Sequence, residues 1–285
     1  MDRPVDNCSR PGVLRQRIIT ALVLAALLLG SLLSGEAILF SLLLGSFVSI
    51  AAWEWAGLID FRKTQQRMLY SILLTLPLPL LHISITASGT AGVVMFGAAW
   101  WCVAAVMVFC YQGGGRFVPA GKLAGFLTGF FVLIPAWTGL VWLSSQQEGQ
   151  QLILLFFATI CLADSAAFIA GQRWGKNRLA SRVSPGKTRE GFYAGVTAAL
   201  LPALIFIVHE GFSVLAGMGL IFLCVICAVF SVIGDLFVSM FKRHANVKDC
   251  SYFLPGHGGV LDRIDSITAA APVFAVGIWM LEGRL

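Results

Sequence analysis

Residues 212–241 read FSVLAGMGLIFLCVICAVFSVIGDLFVSMF, thirty positions that carry a single charged side chain, Asp235. A bilayer's hydrocarbon core is about 30 Å thick and a helix rises about 1.5 Å per residue, so about 20 apolar residues in a row suffice to cross it. This run is long enough with turns to spare. Eight further apolar runs flank it: Leu14–Leu33, Ala37–Ile59, Met68–Ser88, Ala91–Tyr111, Leu123–Leu143, Leu152–Gly171 and Phe192–Val208 before it, and Ile267–Leu281 after it. Across the 285 residues, 58% are hydrophobic and 12% charged, with a mean hydropathy of +0.85, which is incompatible with the surface of a soluble domain. The expected fold is all-α, a polytopic transmembrane helical bundle of about nine spans.

Orientation follows from the basic residues, because cytoplasmic loops retain Lys and Arg and translocated loops lose them. With the N-terminus inside, every one of the 20 Lys and Arg residues except Arg284 falls on the inner side. The longest inner loops are then 172–191 and 242–266, the 144–151 loop faces away, and the C-terminus lies outside. The net charge of +6 is accounted for by this topology and by contact with anionic lipid, and no nucleic-acid motif accompanies it. Arg15 and Arg17 ahead of a short apolar run raise the question of a signal peptide. The run is too long for one and lacks an A-x-A site, so a retained first span is expected. Cys8, Cys102, Cys110, Cys161, Cys224, Cys227 and Cys250 form no disulfide framework, and the Cys224/Cys227 pair inside an apolar span reads as packing.

Residues 1–150 read as a scaffold of hydrophobic helices, and 151–285 as the catalytic region with its two charged inner loops. In the first half, Gly113–Gly115 is a flexible loop without phosphate-binding context, and Glu54, between Trp53 and Trp55, reads as an anchor near the inner interface. In the second half, Asp164 and Asp235 lie within or at the inner ends of spans. A carboxylate at a helix centre costs about 2.5–3.5 kcal/mol on insertion scales, which makes both functional candidates.

Chemistry concentrates between Gly234 and Ser266, GDLFVSMFKRHANVKDCSYFLPGHGGVLDRIDS. The stretch holds Asp235, Asp249, Asp262 and Asp265, with Lys242, Arg243, Lys248, His257 and Arg263 between them. Carboxylates crowded near a low-dielectric region repel one another unless a cation holds them. Oxygen ligands without paired Cys or His favour Mg²⁺ over zinc, and Asp262 and Asp265, at i and i+3, share a helical face if the last span begins there. The glycines of Pro255-Gly256-His257-Gly258-Gly259 allow backbone N–H groups to approach an anion at positive φ, and His257 either donates to a phosphate or caps the turn. In the other inner loop, Gly186-Lys187-Thr188 invites a phosphate-loop reading that fails, since Ser181 stands where that motif needs glycine and no βαβ context exists. A turn bearing Ser184, Lys187 and Thr188 and opening a helix remains, a good anion site. Acids for a metal, bases for phosphates and a membrane setting suggest phosphoryl or nucleotidyl transfer on a lipid.

The stretch Ser239-x-Phe241-Lys242-Arg243-x4-Lys248-Asp249-x-Ser251-x2-Leu254-Pro255-x-His257-Gly258-Gly259-Val260-x-Asp262-Arg263-Ile264-Asp265 resembles the signature of the phosphatidate cytidylyltransferase, or CDP-diglyceride synthetase, family. Asp164-x2-Ala167-Phe168-x2-Gly171 and Ser184-Pro185-Gly186-Lys187-Thr188-x-Glu190-Gly191 resemble it too, so the likeness covers the C-terminal part well and the N-terminal half only in its multi-span character. The resemblance implies CTP + phosphatidate → CDP-diacylglycerol + pyrophosphate, a committed step to phospholipid synthesis. It implies Mg²⁺ as cofactor with a second cation left open, a bacterial inner membrane with the active site cytoplasmic, and a homodimer. By motif it makes Asp235, Asp262 and Asp265 metal ligands, with Asp249 in the same pocket and Lys248 in the catalytic group. Lys187, Lys242, Arg243, Lys248 and Arg263 are its candidate phosphate contacts, and Ser184, Thr188, His257, Gly258 and Gly259 complete the substrate site. Two positions depart from the family pattern: Val238 stands where many relatives have glutamate and Phe168 where they have tyrosine. The rival readings are an ion-coupled transporter using Asp164 and Asp235, and a nucleotidyltransferase for another lipid phosphate. The first would need acids near the midplane and an internal repeat, neither of which fits this chain.

Overall fold

The computed structural model describes residues 11–86, 91–115, 118–119, 121–251, 253 and 258–281. Its elements in chain order are helices α1 (Pro11–Leu33), α2 (Ala37–Leu58), α3 (Thr64–Thr75), α4 (Leu78–Thr86), α5 (Ala91–Gln112), α6 (Lys122–Ser144) and α7 (Gly149–Trp174). Strands β1 (Arg178–Ala180) and β2 (Ser184–Thr188) follow, then α8 (Arg189–Ala198), α9 (Leu200–Glu210), α10 (Val214–His244) and α11 (Leu261–Leu281). Among the described residues, eight helical units are long and apolar enough to cross a membrane, and Leu22–Leu33 within α1 is a shorter apolar helix. The chain is an integral membrane protein with an all-α architecture.

Two of the eight units are interrupted, and proline explains both. Thr64–Ile85 breaks between α3 and α4 at Pro77, and Arg189–Glu210 breaks between α8 and α9 at Ala199, three residues before Pro202. A proline inside a helix lacks the N–H that would bond back one turn, and its ring crowds the carbonyl four residues earlier. Elsewhere the helices run on where charge begins: α7 continues to Trp174 and α10 to His244, so the inner loops are shorter than 172–191 and 242–266. Charges at a helix end outside the hydrocarbon are solvated and need not stop it, and Lys242, Arg243 and His244 in the last turn of α10 favour the negative end of its dipole.

The centre of the bundle is α6, whose apolar window is 72% buried, whereas that of α8–α9 is 22% buried. The outer helices turn large apolar side chains outward, among them Leu42, Phe109, Val208 and Phe222, a surface suited to hydrocarbon. Lipid offers no hydrophobic drive for one helix to join another, so close backbone contact matters more. Helices α7 and α8 achieve it with small residues: a Cβ on Gly191 or Gly195 would stand 2.5 Å or 2.8 Å from the carbonyl oxygens of Ala167 and Ala163. This contact brings the start of α8, and the hairpin before it, against the C-terminal half of α7.

The hairpin was legible only as a turn opening a helix. Strands β1 and β2 pair antiparallel with Arg178 opposite Thr188 and Ala180 opposite Ser184. Thr188 then caps α8, its Oγ1 accepting from the Gly191 N–H at 3.2 Å.

Candidate active site

Three helices and the hairpin meet at one end of the bundle. Asp235, Ser239 and Lys242 recur at i, i+4 and i+7 on α10 and therefore share a face. Asp262, Asp265 and Ser266 lie in the first turns of α11, and Asp164 and Phe168 on α7. A Cβ on Gly234 would stand 2.3 Å from the Asp265 carbonyl oxygen, so only glycine lets α10 and α11 approach closely enough to juxtapose Asp235 and Asp265. The result is a cavity of about 660 Å³ lined by Asp164, Asp235, Asp262 and Asp265 together with Lys187, Thr188 and Arg263.

The charges are paired across elements. Lys187 Nζ, from β2, lies 2.6 Å from Asp235 Oδ2, and Ser239 Oγ donates to Asp235 Oδ1 at 3.1 Å. Lys242 Nζ lies 2.7 Å from Asp262 Oδ1, with side chains only 10% and 5% exposed. The other oxygen of Asp262 accepts the N–H groups of Cys250 and Gly259, each at 2.9 Å. Gly258 has φ 79°, and a Cβ there would stand 3.0 Å from Asp262 Oδ2. The glycine turn thus approaches an anion as the sequence suggests, and that anion is the Asp262 carboxylate. Asp265 is buried, its Oδ1 accepting the Ser266 N–H at 2.8 Å. Outside the spans, burial and the nearby Asp262 push the Cys250 thiol up from its ordinary value.

Glu54 contributes from the far end of the sequence. Its carboxylate is buried near the C-terminal end of α2 and accepts from Ser251 Oγ, from Val260 N–H at 3.0 Å and from Leu261 N–H at 2.6 Å. It anchors the opening turn of α11 and the loop before it, rather than the bilayer interface alone.

The remaining predicted residues scatter. Arg243 Nε donates to the Val183 carbonyl at 3.1 Å, tying the hairpin to α10. Ser184 sits in β2 away from the cavity lining, Lys248 is exposed, and Asp249 is exposed beside Gly258. His257 lies outside the described residues. Of the two departures from the family pattern, Val238 is buried within the bundle and Phe168 lines the cavity. Among the described residues, no three acidic, His or Cys side chains stand ready as a metal shell, and Lys187 and Lys242 occupy carboxylate oxygens. The donor set nevertheless fits a hard divalent cation in kind, since four carboxylates line one cavity.

A cavity of four acids with Lys187 and Arg263, at the end of a membrane-embedded bundle, marks an integral membrane enzyme that handles phosphate groups. The chain belongs to the cytidylyltransferase family, whose sequence model matches residues 15–281, and it is accordingly a nucleotidyltransferase. It is 40% identical over 273 residues to the phosphatidate cytidylyltransferase of Pseudomonas aeruginosa, covering 94% of this chain and 97% of that one. It is 35% identical over 285 residues to the phosphatidate cytidylyltransferase of Haemophilus influenzae, covering 92% and 98%. The enzyme of that name from Staphylococcus saprophyticus is 38% identical over 132 residues, 46% of this chain and half of its own length.

Proposed function

We propose that the chain transfers the cytidylyl group of CTP to phosphatidate at the cytoplasmic face of a bacterial inner membrane. The observation that carries this reading is the cavity in which carboxylates of α7, α10 and α11 meet Lys187 of the hairpin. A phosphate oxygen of phosphatidate attacks the α-phosphorus of CTP, the bond from that phosphorus to the bridging oxygen breaks, and pyrophosphate leaves. The attacking phosphate is already anionic near neutral pH, so positioning matters more than a general base. Lys187 and Arg263 at the cavity wall, and Lys242 behind it on Asp262, supply the positive charge that holds phosphates, with Lys187 moving from the Asp235 carboxylate to a phosphate oxygen as substrate enters. Asp235, Asp262 and Asp265 are the side chains that would hold Mg²⁺. When bound, that ion would neutralise charge developing toward pyrophosphate. The assembly in the membrane is a homodimer in this reading.

Purified protein given labelled CTP and dioleoyl phosphatidate should form CDP-diacylglycerol and pyrophosphate, and a chelator should stop it. Formation of product from another lipid phosphate but none from phosphatidate would overturn the substrate assignment. The orientation rests on the basic residues and is tested by single cysteines in a variant lacking the native ones. Ser145→Cys should react from outside with an impermeant maleimide, and Ser181→Cys only after permeabilisation; the reverse pattern would invert the topology.

A further inference from the structure

A second cavity, of about 580 Å³, lies against the catalytic one and differs from it in chemistry. It is enclosed by α1, α2, α6, α7 and α11, and its lining is apolar apart from Arg263 and the few polar atoms of Trp137 and Thr268. Those atoms face inward to the protein: Trp137 Nε1 donates to the Ser41 carbonyl and Thr268 Oγ1 to the Asp265 carbonyl. What the cavity offers an occupant is therefore hydrocarbon surface, with one cation at its edge. Its volume falls in the range of ligand pockets, about 300–1,000 Å³.

Two helices connect the cavities. Residues advance about 100° per position around a helix. On α11, Asp262, Asp265 and Ser266 therefore form one face, lining the catalytic cavity, and Ile264 and Ile267 the opposite face, lining the apolar one together with Val260 just before the helix. Arg263 projects between these faces and lines both. On α7 the cavities follow each other along a single stripe: Leu154, Ala158 and Cys161 border the apolar cavity, and Asp164 and Phe168, the next turns, border the catalytic one. An amphiphile lying along this stripe would keep its tail in hydrocarbon and bring an anionic head past Arg263 to the acids.

We propose that the apolar cavity is the acyl-chain site of the lipid substrate, with Arg263 at the junction meeting the lipid phosphate. This rests on the cytidylyl-transfer reading above and assigns the part of phosphatidate which that reading leaves unplaced. The geometry makes the chain site a selector of acceptor: a long chain gains burial along α1 and α7, and a short chain does not reach that far. Each methylene buried is worth about 0.8 kcal/mol, so even two or three in the cavity change binding about tenfold or more.

The test fills the cavity. Ala158 of α7 and Ala25 of α1 both border it. Ala158→Trp and Ala25→Trp would place an indole where the chain lies, and Leu39→Trp, on an exposed part of α2, is the control. kcat/KM is measured for dioleoyl and dihexanoyl phosphatidate at saturating CTP. The expected result is a fall of about tenfold or more in the long-to-short ratio for both cavity variants and none for the control. A ratio unchanged in active cavity variants would overturn the proposal. Absence of product from wild type with either acceptor would instead sink the cytidylyl-transfer reading, and is seen before any variant is made. Should the tryptophans prevent folding, wild type is photolysed with phosphatidate bearing a diazirine at mid-chain. Adducts within 24–29 and 154–161 are expected; adducts only on outward positions such as Leu42 and Phe222 would overturn the site.

Discussion

Asp265→Asn should lose nearly all cytidylyl transfer while the bundle stays folded. Asp265 is 6% exposed, and an asparagine oxygen can still accept the Ser266 N–H that its Oδ1 now accepts at 2.8 Å. Volume and local hydrogen bonding are kept, and one full negative charge is removed from the wall where the proposed mechanism would have Mg²⁺ held. Removing a group of this kind costs about 100-fold or more, about 2.7 kcal/mol of transition-state stabilisation. Arg182→Ala is the contrast. That side chain is exposed and lines no part of the catalytic cavity, and its backbone N–H bond to Gln112 Oε1 survives the change. Its turnover should stay within about twofold, the margin expected of an exposed position. Both variants and wild type are assayed across a Mg²⁺ titration, with thermal stability in detergent as the folding control. Near-normal turnover of Asp265→Asn with unchanged Mg²⁺ dependence would remove Asp265 from the ligand set and require a different account of the cavity.

The spans were legible because a bilayer imposes a length and a composition, and neither depends on tertiary contacts. Their ends were less so, since Trp174 and His244 lie beyond the first charges and apolarity was the only ruler. The prolines behind the breaks at Pro77 and Ala199, the latter three residues before Pro202, are written in the sequence, yet within a run of apolar residues they do not alter the hydropathy. Asp164 and Asp235 stood out because an acid in an apolar span is expensive, Asp262 and Asp265 because they crowd with other acids and bases at i, i+3 spacing, and the structure gathers all four in one cavity. Their partners could not be read. Lys187 finds Asp235, and Arg243 finds Val183, through packing of the hairpin against α10 that no local pattern in the sequence announces. The strands of the hairpin are three and five residues long, too short for an alternating pattern to declare itself.

Glu54 is the clearest case of a residue whose role is tertiary, and its substitution should have the second large effect. Its bonds reach Val260 and Leu261 across 206 and 207 residues of chain, at the first turn of the helix that carries Asp262 and Asp265. A helix opens with N–H groups that have no partner of their own, and a carboxylate there both accepts them and favours the positive end of the dipole. In Glu54→Gln the amide nitrogen must face one of three donors, Ser251 Oγ–H, Val260 N–H or Leu261 N–H. A buried donor left unpaired costs about 1–3 kcal/mol. Relief comes by moving the start of α11, and a displacement of about 1 Å at a reacting centre can cost about 100-fold in rate. Turnover should therefore fall about tenfold to 100-fold even where the detergent-solubilised protein remains folded. A local readout separates this from general loosening. Ser251 is held by Glu54 and the Cys250 N–H by Asp262, so the Cys250 thiol, half-buried and shifted toward the neutral form, should react slowly with maleimide in wild type. With the other cysteines replaced, Glu54→Gln should speed its modification several-fold at a temperature well below the melting transition. Slow labelling retained together with full turnover would show that α11 holds its place without this carboxylate, and Glu54 would then serve α2 alone.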